Sequence, residues 1–393
     1  MTLVENFPHA AYLAVSLSDA FLAVAVIGCL FTVVACCCVV SFPNPKLDCV
    51  DTPPPVTVLK PLHGSEPEIG GLIAAFCRQN YPAPVQILCG APRSDSPAVG
   101  DIRALAADFP EQAIEIAVEP RNRGTNRKVS NLINMLPRAR HDTLVLSDSD
   151  IAVGSDYLRA LMSLLSLPRV GAVTCLYHGI GGESLWTRLS ALAINGQFLP
   201  HAITAVSLGL AKPCCGATIA LRRSILERIG GFAALADVLA DDHAIGVAVR
   251  AAGYDVVTAP LVVGHHCFEG SLRQLVLHQM RVARTIRSIY PLAYAGTLVT
   301  HPWPLALLAL FGGDPAAVMV AIAVLLARVT LCRCVEWRFG LPHQNYWLIP
   351  VHDLIAFAIY VTSFFGATVH WRGADYRVAA NGNLIEGQDL GRS

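Results

Sequence analysis

Charge is scarce in this sequence. Of its 393 residues only 15% are charged, against 54% apolar, whereas a soluble domain carries roughly 25% charged residues. A deficit on that scale predicts that part of the chain lies in lipid. Net charge is absent too, with 29 basic residues against 29 acidic, so the basic footprint of a nucleic-acid-binding protein is missing. No Lys or Arg precedes the first apolar run and no clear cleavage site follows it, which argues for a retained anchor over a signal peptide. The thirteen cysteines form no CxxC pair, which argues against a zinc site. In a cytosolic compartment their thiols stay reduced, and they read as small apolar fillers.

What is present begins with four apolar runs. Ala20 to Val40 carries no charge and has the ~20 residues needed to cross a hydrocarbon core. Leu292–Gly312, Ala316–Leu331 and Tyr346–Val369 are each near spanning length. Pro302, Pro304, His301, His352 and Asp353 interrupt them, which suits broken or re-entrant segments. Three to four spans are expected. Lys46 on one side of the first run, and Arg333 and Arg338 between the last two, place the polar middle in the cytosol by the positive-inside rule. The expected layout is an anchor over 1–42, a cytosolic catalytic domain over 43–290, membrane helices over 291–371 and a polar tail over 372–393. The expected location is the inner (plasma) membrane.

The middle of the chain alternates strand and helix. After a Pro-rich stalk, Pro43 to Pro55, strands are expected at Val56–Leu59, Val85–Cys89 and Ala113–Val118, and in an apolar run from Leu144 that ends at Asp148. Helices are expected at 66–79, 101–109 and 128–136. That rhythm predicts a parallel, doubly wound sheet. Further on, 156–167 reads as helix, 170–177 as strand, 217–221 as strand and 222–229 as helix. The apolar stretch 185–210 reads as a helix buried or lying on the bilayer surface.

Three clusters carry the chemistry. In Leu144-Val-Leu-Ser-Asp-Ser-Asp150, a strand would send Asp148 and Asp150 to one face, at the carboxyl edge where ligands sit in open α/β sheets. Two carboxylates there suit Mg²⁺ or Mn²⁺ completed by substrate phosphates; a polar turn after a buried strand is the plain alternative. Asp241 and Asp242 start a helical run, either as caps or, for Asp242, as a general base set apart from the metal site. His278, Arg281, Arg284 and Arg287 recur every third residue along one helix face. They make either a membrane-surface stripe or a clamp on a nucleotide diphosphate.

The order of these pieces resembles the membrane glycosyltransferases of the ceramide glucosyltransferase family, whose bacterial branch includes hopanoid-modifying enzymes. The resemblance runs over roughly residues 20 to 385. It rests on Val58-Leu-Lys-Pro-Leu-His-Gly64, Asn80-Tyr-Pro82, Asp95 ahead of Pro97, Lys128 with Asn131-Leu132, and Asp148-Ser-Asp150. It continues through Cys215-Gly-Ala-Thr218, Arg222 to Phe232, Ala240-Asp-Asp242, His278-Gln-Met-Arg281, Trp371-Arg-Gly373 and Tyr376-Arg377. It implies a GT-A nucleotide-sugar fold between N-terminal and C-terminal membrane helices, a UDP-sugar donor, a divalent metal and a membrane-lipid acceptor, a hopanoid polyol or ceramide. It also implies inversion by single displacement. Matched position by position, Lys60, Asp95, Lys128, Asp148, His278 and Arg281 bind substrate, Asp148 and Asp150 hold metal, and Asp242 is the base. Two positions depart from the family pattern: His278 replaces Gln or Arg, and Val282 stands where Trp is expected. A processive polysaccharide synthase or a polyprenyl-phosphate sugar transferase is the alternative enzyme. A transport or scaffold protein would leave the three aspartates without a shared purpose.

Overall fold

A computed structural model describes residues 6–43, 50–63, 66–366, 368–371, 374–378 and 384–386. Part of the Pro-rich stalk (44–49) and the motif residues Gly64, Arg372 and Gly373 lie outside that set. The chain divides into two compact units. One comprises the described parts of Met1–Phe42, Glu183–Leu208 and Glu269–Trp371; the other comprises Pro43–Gly182, Gly209–Phe268 and Arg372–Ser393.

Helix α1, Asn6–Val40, opens the helical unit. The sheet unit then runs β1 (Val56–Pro61), α2 (Ile69–Cys77), β2 (Val85–Ala91), α3 (Pro97–Asp108), β3 (Ala113–Val118), α4 (Arg127–Met135), β4 (Thr143–Leu146), β5 (Ile151–Ala152), α5 (Tyr157–Leu165) and β6 (Val170–Ile180). Two helices of the helical unit follow, α6 (Leu185–Ala193) and α7 (Leu199–Ser207), joined by a π-helical turn at Ile194–Phe198. The sheet unit resumes with β7 (Ile219–Arg222), α8 (Arg223–Arg228), α9 (Asp241–Ala251) and β8 (Asp255–His266). The helical unit continues with α10 (Leu272–Ile289), α11 (Pro291–Gly296), α12 (Pro302–Ala309), α13 (Pro315–Phe339), α14 (Ile349–Ser363) and the short strand β9 (Thr368–Trp371). Strands β10 (Ala374–Val378) and β11 (Leu384–Glu386) pair antiparallel.

The large sheet has the order β3-β2-β1-β4-β7-β6-β8-β5. It is mostly parallel: β1 pairs in parallel with β2 and β4, β2 with β3, and β6 with β8, while β7 and β5 run against their neighbours. Every residue of β1 and β4 is buried, as expected of strands covered on both faces. Alternation sorts their side chains. Val56, Val58 and Val145 face a core with Ile73, Phe76, Ile102 and Leu158, from α2, α3 and α5. Leu59, Leu144 and Leu146 face the opposite core with Leu132, Met135, Ile225 and Val249, from α4, α8 and α9. Because β1, β2 and β4 are parallel, their carboxyl ends open along one edge.

In the helical unit, Leu17–Val40, Pro315–Phe339 and Tyr346–Ser363 are long and apolar enough to cross a membrane, and Pro291–Thr300 with Pro302–Gly312 forms a fourth candidate bent by 64°. The bend falls at Pro302, whose missing N–H cannot continue a helical ladder. The last run is shorter than expected: α14 stops at Ser363, and Gly366 follows with φ +92°. The apolar stretch 185–210 forms α6, the π turn and α7, burying Leu189, Leu192, Leu199 and Ile203. Arg328, at the middle of α13, is also buried. It makes two 2.8 Å hydrogen bonds to Asp353 and one to the Gly196 carbonyl in the π turn.

Candidate active site

The aspartate motif does not sit on a strand. β4 ends at Leu146, and Asp148 and Asp150 lie in the turn that follows. The expectation of one shared strand face is therefore corrected. Ser147 donates its N–H to Leu59 O, closing the ladder, and the chain then turns into β5. The two carboxylates make separate contacts. Asp148 lies 2.7 Å from Lys128 Nζ, and Asp150 Oδ1 lies 3.6 Å from His265 Nδ1.

Lys60 fixes that turn from beneath. It is fully buried at the end of β1, and its ammonium donates to Asp148 O (2.7 Å), Ser147 Oγ (3.2 Å) and Ile151 O (3.3 Å). All three N–H groups are thus engaged, over the Phe76 ring 4.4 Å away. Burial pulls its pKa down to about 8, against the pull of Asp150 and Asp148.

Lys128, on the first turn of α4, is the hub. Its ammonium lies 2.7 Å from Asp148 Oδ1 and 3.3 Å from Asp241 Oδ2. Burial opposes its charge, but Asp148, Asp241 and Asp242 outweigh burial and hold it protonated. Gly216 marks the middle of the cluster. A Cβ added there would stand 3.0 Å from Lys128 Nζ, 3.1 Å from Asp148 Oδ2 and 3.4 Å from Asp242 Oδ2, so a side chain would crowd all three. The turn bearing Gly216 is tied down by Thr174 on β6, which accepts from Cys215 N (2.8 Å) and donates to Thr218 O (2.8 Å).

Asp242 is not a helix cap. The cap of α9 is Ala240, with no side-chain bond, and both aspartates stand in the first helical turn. Asp242 Oδ2 accepts from Gly216 N (2.8 Å) and Oδ1 from its neighbour His243 N (2.7 Å). Burial, then the adjacent Asp241, push its pKa up to about 6 despite Lys128.

One residue that sequence reasoning passed over holds these pieces together. Buried Asn126 caps α4, accepting from Lys128 N and Val129 N, and donates to Val238 O (2.7 Å) in the segment leading to Asp241. An Asn just ahead of an amphipathic run is a cap signature visible in sequence. Its second contact, 112 positions away, is not.

The remaining candidates belong to other elements. Asp95, after β2, is exposed and bidentate to Arg93 (2.9 and 2.6 Å), whose hydrogen bonds hold its carboxyl below the ordinary range. His278 and Arg281 belong to α10 in the helical unit, where His278 Nδ1 lies 2.6 Å from the buried Glu269. Val282, at the position of the expected Trp, is exposed. Arg284 and Arg287 donate to the backbone carbonyls of Phe365, Thr368 and Gly366, so half of the basic stripe is spent on the chain's own backbone.

Among the described residues, no three His, Cys, Asp or Glu side chains converge into a preformed metal cage. The donor set nevertheless fits a hard cation that keeps most of its shell for phosphates and water. Asp150 Oδ1 is a buried oxygen with no hydrogen-bond donor.

Comparison with known proteins agrees with this architecture. A mannosyltransferase from Pyrobaculum calidifontis, solved in complex with GDP-Man and Mn²⁺, superposes with a TM-score of 0.51 at 21% identity, covering 90% of this chain and 99% of its own. That likeness is one of fold, GT-A-like with a mostly parallel sheet. Ceramide glucosyltransferases of Gibberella zeae and Candida albicans are each 29% identical, over 133 and 116 residues. Those matches cover 32% and 26% of this chain, and only 25% and 21% of the two relatives. The family model for glycosyl transferase family 21 matches residues 20–384, nearly the whole sequence, and the chain belongs to that family.

Proposed function

We propose that this protein transfers a single hexose or N-acetylhexosamine from a UDP-sugar to the hydroxyl of a membrane lipid, a hopanoid polyol or a ceramide, with inversion. The observation that carries this reading is the pairing across Gly216 of a diphosphate-side carboxylate, Asp148, with a second carboxylate, Asp242, whose pKa is raised to about 6. A base near the working pH is what general-base catalysis favours. In the reaction, the lipid hydroxyl oxygen attacks the anomeric carbon as the bond from that carbon to the diphosphate oxygen breaks. The hydroxyl proton passes to Asp242, and UDP leaves.

In this reading Asp148 and Asp150 hold the divalent cation, Mg²⁺ or Mn²⁺; when bound, it neutralises charge on the leaving diphosphate. Lys128 offsets the repulsion between the facing carboxylates. Lys60 positions the aspartate turn. Asp95, His278 and Arg281 contribute to donor binding. The apolar helices hold the enzyme at the inner membrane, so that a water-soluble donor meets a lipid-dissolved hydroxyl, a positioning effect. This reading includes the domain layout expected from the sequence, a cytosolic catalytic region between membrane segments. A processive polymerase is disfavoured by Val282 in place of Trp and by the three to four candidate spans among the described residues.

Mass spectrometry of lipids from cells with and without the gene tests the proposal. A glycosylated hopanoid or glycosylceramide that disappears on deletion is the expected result and reports sugar mass and acceptor together. An unchanged glycolipid profile would overturn it.

A further inference from the structure

The two facing carboxylates depend on separate turns. Asp148 stands in the turn after β4, and Asp242 is held by the N–H of Gly216, in the turn before β7. The antiparallel β4–β7 ladder sets Leu146 opposite Ile219, so both turns spring from the same end of neighbouring strands. One buried hydroxyl bridges them. Tyr157, the first residue of α5, lies 2.9 Å from Thr218 Oγ1 and hydrogen-bonds Ser147 as well.

Each hydroxyl carries one proton and two lone pairs, which sets the direction of every bond. Thr218 donates its proton to Ala217 O (2.8 Å), so toward Tyr157 it accepts. Tyr157 spends its own proton on Thr218 and accepts from Ser147. Ser147 Oγ accepts in turn from the Lys60 ammonium (3.2 Å). Burial, and then the Cys175 thiol, push the Tyr157 hydroxyl well above its ordinary pKa, so it stays a neutral donor. The chain Lys60, Ser147, Tyr157, Thr218 therefore runs one way, from a buried cation to a backbone carbonyl.

The bridge is anchored along its length. Gln79 clamps the backbone on both sides of Tyr157, donating to Gly154 O (2.8 Å) and accepting from Leu158 N (3.0 Å). The Tyr157 ring meets Phe76 edge-on at 5.8 Å. Ser147 and Thr218 are buried, and Thr174 pins the turn beyond Thr218 through Cys215 N and Thr218 O. Resting on the nucleotide-sugar reading above, we propose that Tyr157 is a positioning residue for sugar transfer. Its hydroxyl ties the turn facing the leaving diphosphate to the turn that holds Asp242. The spacing between leaving group and base is thereby fixed through Ser147 and Thr218, without Tyr157 acting on the substrate. A displacement needs attacking oxygen, anomeric carbon and leaving oxygen in line, and a misplacement of about 1 Å costs up to ~10²-fold in rate.

The test uses the full chain in detergent micelles, with UDP-glucose or UDP-N-acetylglucosamine as donor and a ceramide or a hopanoid polyol as acceptor. UDP binding counts the competent sites. Tyr157→Phe removes the hydroxyl and keeps the ring on Phe76. Turnover per UDP-binding site should fall ~10–10²-fold, with donor KM and UDP affinity near wild type. Thr218→Val cuts the same tie from its other end and should give the same loss, and the two together should be no worse than either alone. Leu161→Val, in the core on the same helix, should lower the melting midpoint and leave turnover per site unchanged, which separates positioning from loss of folded protein. A second readout needs no turnover. Ser147→Ala and Thr218→Val should be non-additive in melting midpoint, and additive once Tyr157→Phe is also present. Wild-type turnover per site in Tyr157→Phe overturns this inference and leaves the glycosyltransferase reading standing. Thermal coupling that is present, in a wild-type protein that transfers no sugar, supports the tie and counts against the nucleotide-sugar reading.

Discussion

Lys128 and Asp148 form a 2.7 Å ion pair in which the lysine side chain is only 13% exposed. The same ammonium serves Asp241 and stands beside Asp242. Three carboxylates crowded in one cleft repel one another, and this cation offsets that repulsion. Lys128→Met removes it while keeping the side chain's length. Breaking a buried pair costs about 3–5 kcal/mol, so a fall in thermal midpoint is expected along with a loss of turnover. Lys128→Arg should recover most of the stability but less of the activity, because the bulkier fork must fit against Gly216. Thermal unfolding and sugar-transfer rate, measured on both variants, check this.

Asp242 sets a pH limb. Its folded pKa lies above the ordinary carboxylate value, at about 6, and a general base works only when deprotonated. Rate should therefore plateau above pH 6 and fall about tenfold per pH unit below it. Asp242→Ala should lower turnover by ~10²–10⁴ while donor binding, followed by UDP-sugar titration, stays near wild type. A wild-type rate in that variant would remove Asp242 from the mechanism.

Much of the sheet unit was legible because its central strands, β1 and β4, are buried on both faces. Short runs rich in apolar and β-branched residues, such as Val56–Leu59 with its Thr57 and Ala113–Val118 with its single Glu115, announce themselves, and β3 matches its expected bounds. What failed depends on distant partners. The aspartates were expected on a strand, but β4 ends two residues earlier, where the chain must turn to pair β5 with β8. β8 carries no clean strand signal in the sequence. Its exposed and half-buried positions do not alternate cleanly, and its prolonged pairing with β6 passes through two irregularities. The approach of His265 to Asp150 depends on that long-range pairing and has no local signature. The basic stripe on α10 was visible as spacing, yet the spacing cannot tell a phosphate clamp from guanidinium groups that hold the chain's own carbonyls, as Arg284 and Arg287 do.

That last distinction gives a prediction on the helix α10 itself. Arg284 donates to two backbone carbonyls beyond α14, and charge-assisted hydrogen bonds of this kind are worth about 1.5–3 kcal/mol. Arg284→Ala should lower the thermal midpoint without raising the KM for donor. Arg281→Ala should do the reverse, raising donor KM with little change in melting. The split between KM and melting temperature, taken on the two variants side by side, decides whether the stripe has two functions or one.

Asp150 tests the cation. Chelator should raise the UDP dissociation constant of the wild type at least ~10-fold, and Asp150→Ala should do so without chelator. The two effects should not add, since both remove the same ion. Calorimetric UDP titrations on wild type and variant, with and without chelator, complete the cycle. UDP affinity indifferent to both treatments would show that no cation contributes at this turn.

Arg328 and Asp353 pose the opposite problem, a pair whose burial is itself the cost. Both are almost completely buried, and they are joined by two parallel 2.8 Å hydrogen bonds between α13 and α14. Both helices are apolar enough to lie in a bilayer. Removing one partner leaves the other buried without its main counter-charge, so Arg328→Met or Asp353→Leu alone should destabilise by about 3–5 kcal/mol. Replacing both exchanges the pair for apolar contact and should restore most of that loss. The Gly196 carbonyl then loses the Arg328 donor, and since an unpaired polar group costs about 1–3 kcal/mol, recovery should stop short of wild type. His352, whose Nδ1 lies 3.0 Å from Asp353, should add to the shortfall. Thermal unfolding in micelles of the two single variants and the double variant gives the coupling energy directly. Additive losses would mean that the two charges are stabilised by other groups and do not depend on each other.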